Sequence, residues 1–421
     1  MATNVDDSLA TPERDLGGCP VMHHDFSQPR PYGEHWDLAK QLREACPHFY
    51  NQYEGADGGT NGYWVFTQYD AVRDIYKQAD IFSSASITPW EPEPIYRLVP
   101  TMVDAPDHIK YRRILNPWFS PKAMDGAEDT IRSICREYVE QIAANGSCDF
   151  IEEFALHFPT AAFLNAIGVP VSETDRFVKW VDDFFAGFSG DPAGLEPMAK
   201  ALQEIRDYWV AALDERRGKP EVPGDLASHL LHVEYDDERP LTDEEMLDML
   251  TVLVLAGLDT TRGELGYMFH HLALNPEDRK RLIAEPEIIP LAVEETLRYY
   301  TIIFGDGRKV ARDVDDFYGV QLKKGDMVYG LVSAANRDPN AWERAEEFVI
   351  DRKRNNHMGF ANGPHRCLGM HLARREMQVA VEEWLRLIPD FELASGDGLF
   401  ERGGGSMMSL NKLPLRWELS S

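Results

Sequence analysis

The sequence predicts a mainly α-helical fold with small β-sheets, one large domain built around a long central helix. Three observations predict it. Helical patterning dominates from Tyr69 onward, and strand-like runs are short and confined to three places. One segment opens at Thr242 and Glu245 with capping-box spacing and continues to Asn275, where Pro276 stops it. At about 1.5 Å per residue it makes a rod of roughly 50 Å, enough to cross a whole domain.

Taken in order, residues 1–30 mix Pro, Gly, Asp and Ser without periodicity and are expected to form an irregular arm, leaving 31–421 as the domain. His48 to Gln52 and Tyr63 to Gln68 read as strands of a hairpin whose long loop is the glycine-rich stretch from Gly55 to Gly62. A second strand-rich region covers Arg308 to Val332, turning at Lys323-Lys324-Gly325-Asp326, and a third covers Leu393 to Trp417. No low-complexity linker or internal repeat divides the 421 residues, so a single domain is expected.

Composition removes several classes of function. A net charge of -28 repels nucleic acid and anionic lipid, so no nucleic-acid partner is expected. The strongest apolar stretch, Met249 to Leu258, is too short to span a bilayer, and the amino-terminus is polar and acidic. Five cysteines (Cys19, Cys46, Cys135, Cys148, Cys367), odd in number and scattered, suit a reducing cytoplasm better than a disulfide scaffold or a zinc site. A soluble cytoplasmic monomer with no membrane partner is the expectation.

Cys367 stands apart from the other four. It lies in Phe360-Ala361-Asn362-Gly363-Pro364-His365-Arg366-Cys367-Leu368-Gly369, a glycine-bounded loop just ahead of a helical segment. A helix amino-terminus supplies unpaired N–H groups and partial positive charge, which favour a thiolate and hydrogen-bond it once it holds a metal. Gly363 and Gly369 let the backbone approach a flat cofactor. Within the long helix, Ala256-Gly257-Leu258-Asp259-Thr260-Thr261 sets an acid and hydroxyls in an apolar run, where they can hold water and pass protons. Gly257 weakens a helix by about 1 kcal/mol relative to alanine, so it signals a close approach or a local distortion. Glu295 and Arg298 are three apart, on one helical face.

Together these motifs resemble those of the cytochrome P450 family, and they follow the family's order from about residue 30 to 417. The resemblance implies the P450 fold and heme b, with Cys367 as the proximal iron ligand. It implies Asp259 and Thr260 as a proton-delivery pair, and Glu295, Arg298 and Arg352 as a structural charge triad. Heme propionates need charged hydrogen-bond donors, and His108, Arg112, Arg308 and His365 are the residues the resemblance supplies. Within the family the chain looks most like the soluble bacterial class, the camphor-hydroxylating P450 and its relatives. Tyr96 aligns there with a substrate-holding tyrosine, and Ile87, Val252, Leu255, Ala256, Ile303, Phe304 and Met407 are expected to complete an apolar pocket. Ile87-Thr88 and Met407-Met408 depart from that pattern, so camphor itself is not implied, and Pro94 replaces an acid near a potassium site, which is not carried over. The implied activity is insertion of one oxygen atom from O2 into a C–H bond of a small hydrophobic substrate, a terpenoid. Electrons would come from NADH through a ferredoxin reductase and a ferredoxin. The alternatives are a peroxide-driven peroxygenase and a non-catalytic heme sensor or carrier.

Overall fold

In the computed structural model the residues described are 16, 18–26, 28–54, 60–90, 92–94, 97–187, 192–236, 238–396, 398–403 and 407–419. The central helix, Asp243–Leu274, organises the rest. Reciprocal bonds fix its start: Glu245 N donates to Thr242 Oγ1 at 3.2 Å, and Thr242 N donates to Glu245 Oε2 at 2.8 Å. Two donors that a helix end leaves unmatched are thereby satisfied. Of its 32 residues 24 are buried, so the helix is enclosed on nearly every side. In its middle, Ala256, Gly257 and Thr260 form one accessible stripe. Gly257 is explained by packing rather than by a break in the helix: a Cβ there would stand 2.5 Å from the ring of Phe163 on the helix Phe158–Ala166.

Aromatic packing fixes the helix that follows the cysteine loop, Met370–Leu387, against this rod. The fully buried ring of Trp384 meets Phe150, Phe154 and Phe269 edge-on at 5.1, 5.5 and 5.3 Å between centroids. Such edge-to-face contacts contribute about 0.5–1.5 kcal/mol each beyond burial, so the cysteine loop hangs from a rigid support.

The largest sheet runs, edge to edge, Val21–Met22, His48–Glu54, Thr60–Phe66, Met327–Gly330, Asp306–Val310 and Phe82–Ser83. The expected hairpin places Tyr50 opposite Trp64, and Met327–Gly330 then joins in parallel with Val328 opposite Trp64. Val328 in turn pairs with Arg308, which puts that arginine on an inner strand although it is far from the hairpin in sequence. The described part of the amino-terminal arm is less irregular than its composition suggests. Val21–Met22 pairs with Tyr50–Asn51, and Arg30–Pro31 pairs with Phe400–Glu401. The buried Asn51 side chain accepts from His24 N at 2.9 Å and donates to His24 O at 3.0 Å, bonds that hold the arm and that aperiodic sequence conceals. Among the described residues, no helix is long and apolar enough to cross a membrane.

Candidate active site

The cysteine loop closes on itself. Cys367 N donates to Phe360 O at 3.0 Å, Arg366 N to Gly363 O at 3.2 Å, and Gly363 N to the Asn362 side chain at 2.8 Å. Gly363 has φ +69°, and a Cβ there would lie 2.3 Å from Tyr76 O. Its requirement is thus set by the backbone of the helix Tyr69–Lys77, whereas Gly369 has open space where a Cβ would stand. Burial raises the Cys367 thiol, opposed by a hydrogen bond from the Gly369 amide and by the charges of Arg112, Arg374 and Arg366. All the opposing influences favour the thiolate, the form that ligates metal.

The four propionate candidates come from three distant segments and converge beside this loop. The His108 and His365 rings lie 3.9 Å apart between centroids, tilted by 31°. Burial lowers His365 to about 3, helped by His108, Arg308 and Arg112, and lowers His108 to about 4, so both are neutral near neutrality. Arg112, on the helix Asp107–Leu115, bonds Asn116 Oδ1 through Nε at 3.1 Å. Arg308 is 4% exposed and donates to Asp306 Oδ2 at 2.8 Å, with its guanidinium 5.2 Å from the Tyr76 ring centre. Two buried polar atoms here, Tyr76 Oη and His365 Nδ1, have no hydrogen-bond partner. Two arginines, two neutral histidines and an unmatched phenol make a donor-rich edge, which fits a cofactor that presents two carboxylates and would take Cys367 as its thiolate ligand. Heme fits this donor set. Tyr76 and Asp306 belong to the site, but no local motif marks either of them.

On the central helix, Asp259 is 3% exposed and ion-paired with Arg262 one turn later. Arg262 also donates to Asp182 Oδ1 at 2.9 Å, on the helix Thr174–Ala186. Thr260 lies on the accessible stripe, its Oγ1 donating to Ala256 O at 3.0 Å. A back-bonded hydroxyl keeps its lone pairs for an incoming donor.

Of the pocket residues, Ile303 and Met407 face each other across an isolated bridge, and Ile87 O accepts from Gly307 N at 2.9 Å. Val252 and Leu255 are buried beside the accessible Ala256. Phe304 is 1% exposed and packs on Phe26 at 5.8 Å and His35 at 5.5 Å. Tyr96 lies outside the described residues.

The three residues of the charge triad meet. Glu295 accepts from Arg298 at 2.8 and 2.9 Å, from Arg352 at 2.9 Å, from Val349 N at 2.7 Å and from Asn355 at 3.2 Å. Arg298 donates its remaining hydrogens to the carbonyls of Asn336, Ala345 and Glu347.

The cytochrome P450 family model matches residues 33–395. Among similar proteins are the mycinamicin IV hydroxylase/epoxidase of Micromonospora griseorubida, 32% identical over 81% of this chain and 87% of its own, and a steroid C26-monooxygenase of Mycolicibacterium smegmatis, 30% identical over 79% and 82%. The crystal structure of CYP101J2 superposes with a TM-score of 0.84 at 28% identity, over 97% of this chain and all of that one. With the cysteine loop, the donor-rich edge and the central helix in place, the chain belongs to the cytochrome P450 family and is a heme-binding P450 monooxygenase.

Proposed function

We propose that this P450 inserts one oxygen atom from O2 into a C–H bond of a compact hydrophobic substrate, a terpenoid carrying one oxygen, using electrons from NADH delivered by a ferredoxin reductase and a ferredoxin. The observation that carries the monooxygenase reading is the pairing, in the middle of the central helix, of the accessible Thr260 hydroxyl with the enclosed Asp259 carboxylate. Heme, held by Cys367 with its propionates among His108, Arg112, Arg308 and His365, supplies dioxygen activation when bound. The chain's own part is positioning and protons. Thr260 offers a hydroxyl lone pair and an exchangeable proton on the helix surface, and Asp259 resupplies that proton from the Arg262 and Asp182 side. Ile87, Val252, Leu255, Ala256, Ile303, Phe304 and Met407 present only hydrocarbon and sulfur, so they hold a substrate by shape. Tyr96 would give the one polar contact, to a substrate ketone or ether oxygen.

Ferredoxin docking is assigned to the face around the cysteine loop. Lys110 and Arg113 are both drawn to Asp236, at 3.3 Å each, and Lys110 also to Asp107 at 3.5 Å. Arg366 is exposed and has no ion pair among the described residues, so it is the residue on which an acidic ferredoxin depends most.

NADH consumption with reductase, ferredoxin and a small terpenoid ketone tests this reading. Substrate-dependent consumption matched by hydroxylated product supports it. Product formed from hydrogen peroxide alone favours a peroxygenase, and binding without turnover favours a carrier. Tyr96→Phe should weaken ketone binding roughly two- to twelvefold and leave a hydrocarbon analogue unchanged.

A further inference from the structure

One turn beyond Thr260, the central helix carries a second enclosed acid. Glu264 is 4% exposed, and one of its carboxyl oxygens, Oε1, accepts from Ile302 N at 3.2 Å. Ile302 O accepts from Met408 N at 2.7 Å, and the neighbouring Ile303 and Met407 form the isolated bridge. The helix backbone itself touches both segments at Gly263, where a Cβ would stand 3.2 Å from Met408 O and 3.3 Å from Ile302 Cγ2. Three chain segments that are far apart in sequence therefore meet at one junction, and the Glu264 side chain ties the helix to Ile302, which in turn holds Met408. A carboxyl is an expensive way to fill an apolar core, because its second oxygen, Oε2, is buried without a partner. Leucine or methionine would fill the space without that cost, so packing alone does not account for the acid.

We propose that Glu264 is a specificity-determining positioning residue: through Ile302 it sets where Ile303 and Met407 stand relative to Thr260, and so which part of a bound molecule lies against the oxygen-handling stripe. The side chain does not touch substrate or heme in this role; it acts through the backbone amide of Ile302. The proposal rests on the reading of Ile303 and Met407 as pocket walls.

The test uses the heme-loaded full chain and two azole probes read by optical difference spectra, so no native substrate is needed. Imidazole reports the heme site alone, and 4-phenylimidazole also reports the walls. Glu264→Leu should shift the 4-phenylimidazole dissociation constant roughly two- to twelvefold, the usual consequence of losing one hydrogen bond, while imidazole stays within about twofold. Glu264→Gln keeps an acceptor for Ile302 N–H and should leave both probes within about twofold. The proposal is overturned if Glu264→Leu leaves 4-phenylimidazole unmoved, if Glu264→Gln shifts it as far as leucine does, or if both azoles shift together. If Glu264→Leu does not take up heme, Glu264→Met replaces it; loss of heme in both, with the glutamine variant loaded normally, makes Glu264 a folding residue and also overturns the proposal. Met407→Ala separates the underlying reading: if that variant binds both azoles like the parent protein, it is the pocket assignment that fails.

Discussion

Two buried charge clusters, one around Glu295 and one along the central helix, are built from similar residues and finished differently. Around Glu295 every buried polar atom of the acid and of its two arginines has a partner, and Arg298 alone reaches three backbone carbonyls. A cluster closed in this way holds one geometry, because moving any member strands a charge. Along the central helix, Thr251 Oγ1, Arg262 Nε and Glu264 Oε2 are buried without partners, as is Oε1 of Glu376, which is paired with Thr261. Unsatisfied groups of this kind destabilise a fold, and along the helix they lie on both sides of Asp259 and Thr260, the pair assigned to proton delivery. The closed cluster suits the scaffolding role proposed for Glu295, Arg298 and Arg352. The open one leaves hydrogen-bonding capacity for protons and ligands.

The largest expected effect breaks the closed cluster. Arg298→Ala removes one of the two cations on the Glu295 carboxylate and leaves three carbonyls without their donor in the core, and should cost about 3–5 kcal/mol, read as a lower urea midpoint and a reduced yield of heme-loaded protein. The open cluster should respond in chemistry rather than in folding. Asp259→Asn should slow turnover by roughly 10²-fold with a smaller change in unfolding free energy than Arg298→Ala, and Thr260→Ala should keep consuming NADH while releasing hydrogen peroxide. A yield of product from Thr260→Ala equal to the parent's would remove Thr260 from the proton path.

A third effect is in pH. Burial raises the Glu264 carboxyl from 4.5 to about 8, against the pull of the Ile302 amide. Its titratable neighbours are Tyr267 and, beyond it, Glu401, which is paired with His35. Between pH 4.5 and 8 the unfolded chain has lost a proton that the fold retains, so this group makes stability fall as pH rises, by at most about 1.4 kcal/mol per unit. Glu264→Gln should remove that slope in urea unfolding measured across the window. The smallest effect involves no charge: Ala361, in the cysteine loop, has φ +55°, and Ala361→Gly should raise stability by about 1 kcal/mol or less.

Much of this was legible in the sequence because it is local. The capping box at Thr242, the loop around Cys367 and the spacing of Glu295 and Arg298 each lie within a few residues, where geometry follows from spacing. Arg262 stands three residues after Asp259 on the same helix, so their pairing also follows from spacing. What escaped depends on crossovers. Tyr76 meets Arg308 because Met327–Gly330 inserts between distant strands, and Asp236 neutralises Lys110 and Arg113 from a separate turn.

The central claim is that Cys367 would hold the heme iron as a thiolate, and the spectrum of the reduced, carbon-monoxide-bound protein tests it most directly. The parent protein should absorb at the position characteristic of heme-thiolate P450s, and Cys367→His should move that band to the position of an ordinary histidine-ligated heme. A Cys367→His spectrum identical to the parent's, or a parent spectrum of the histidine type, would contradict the account.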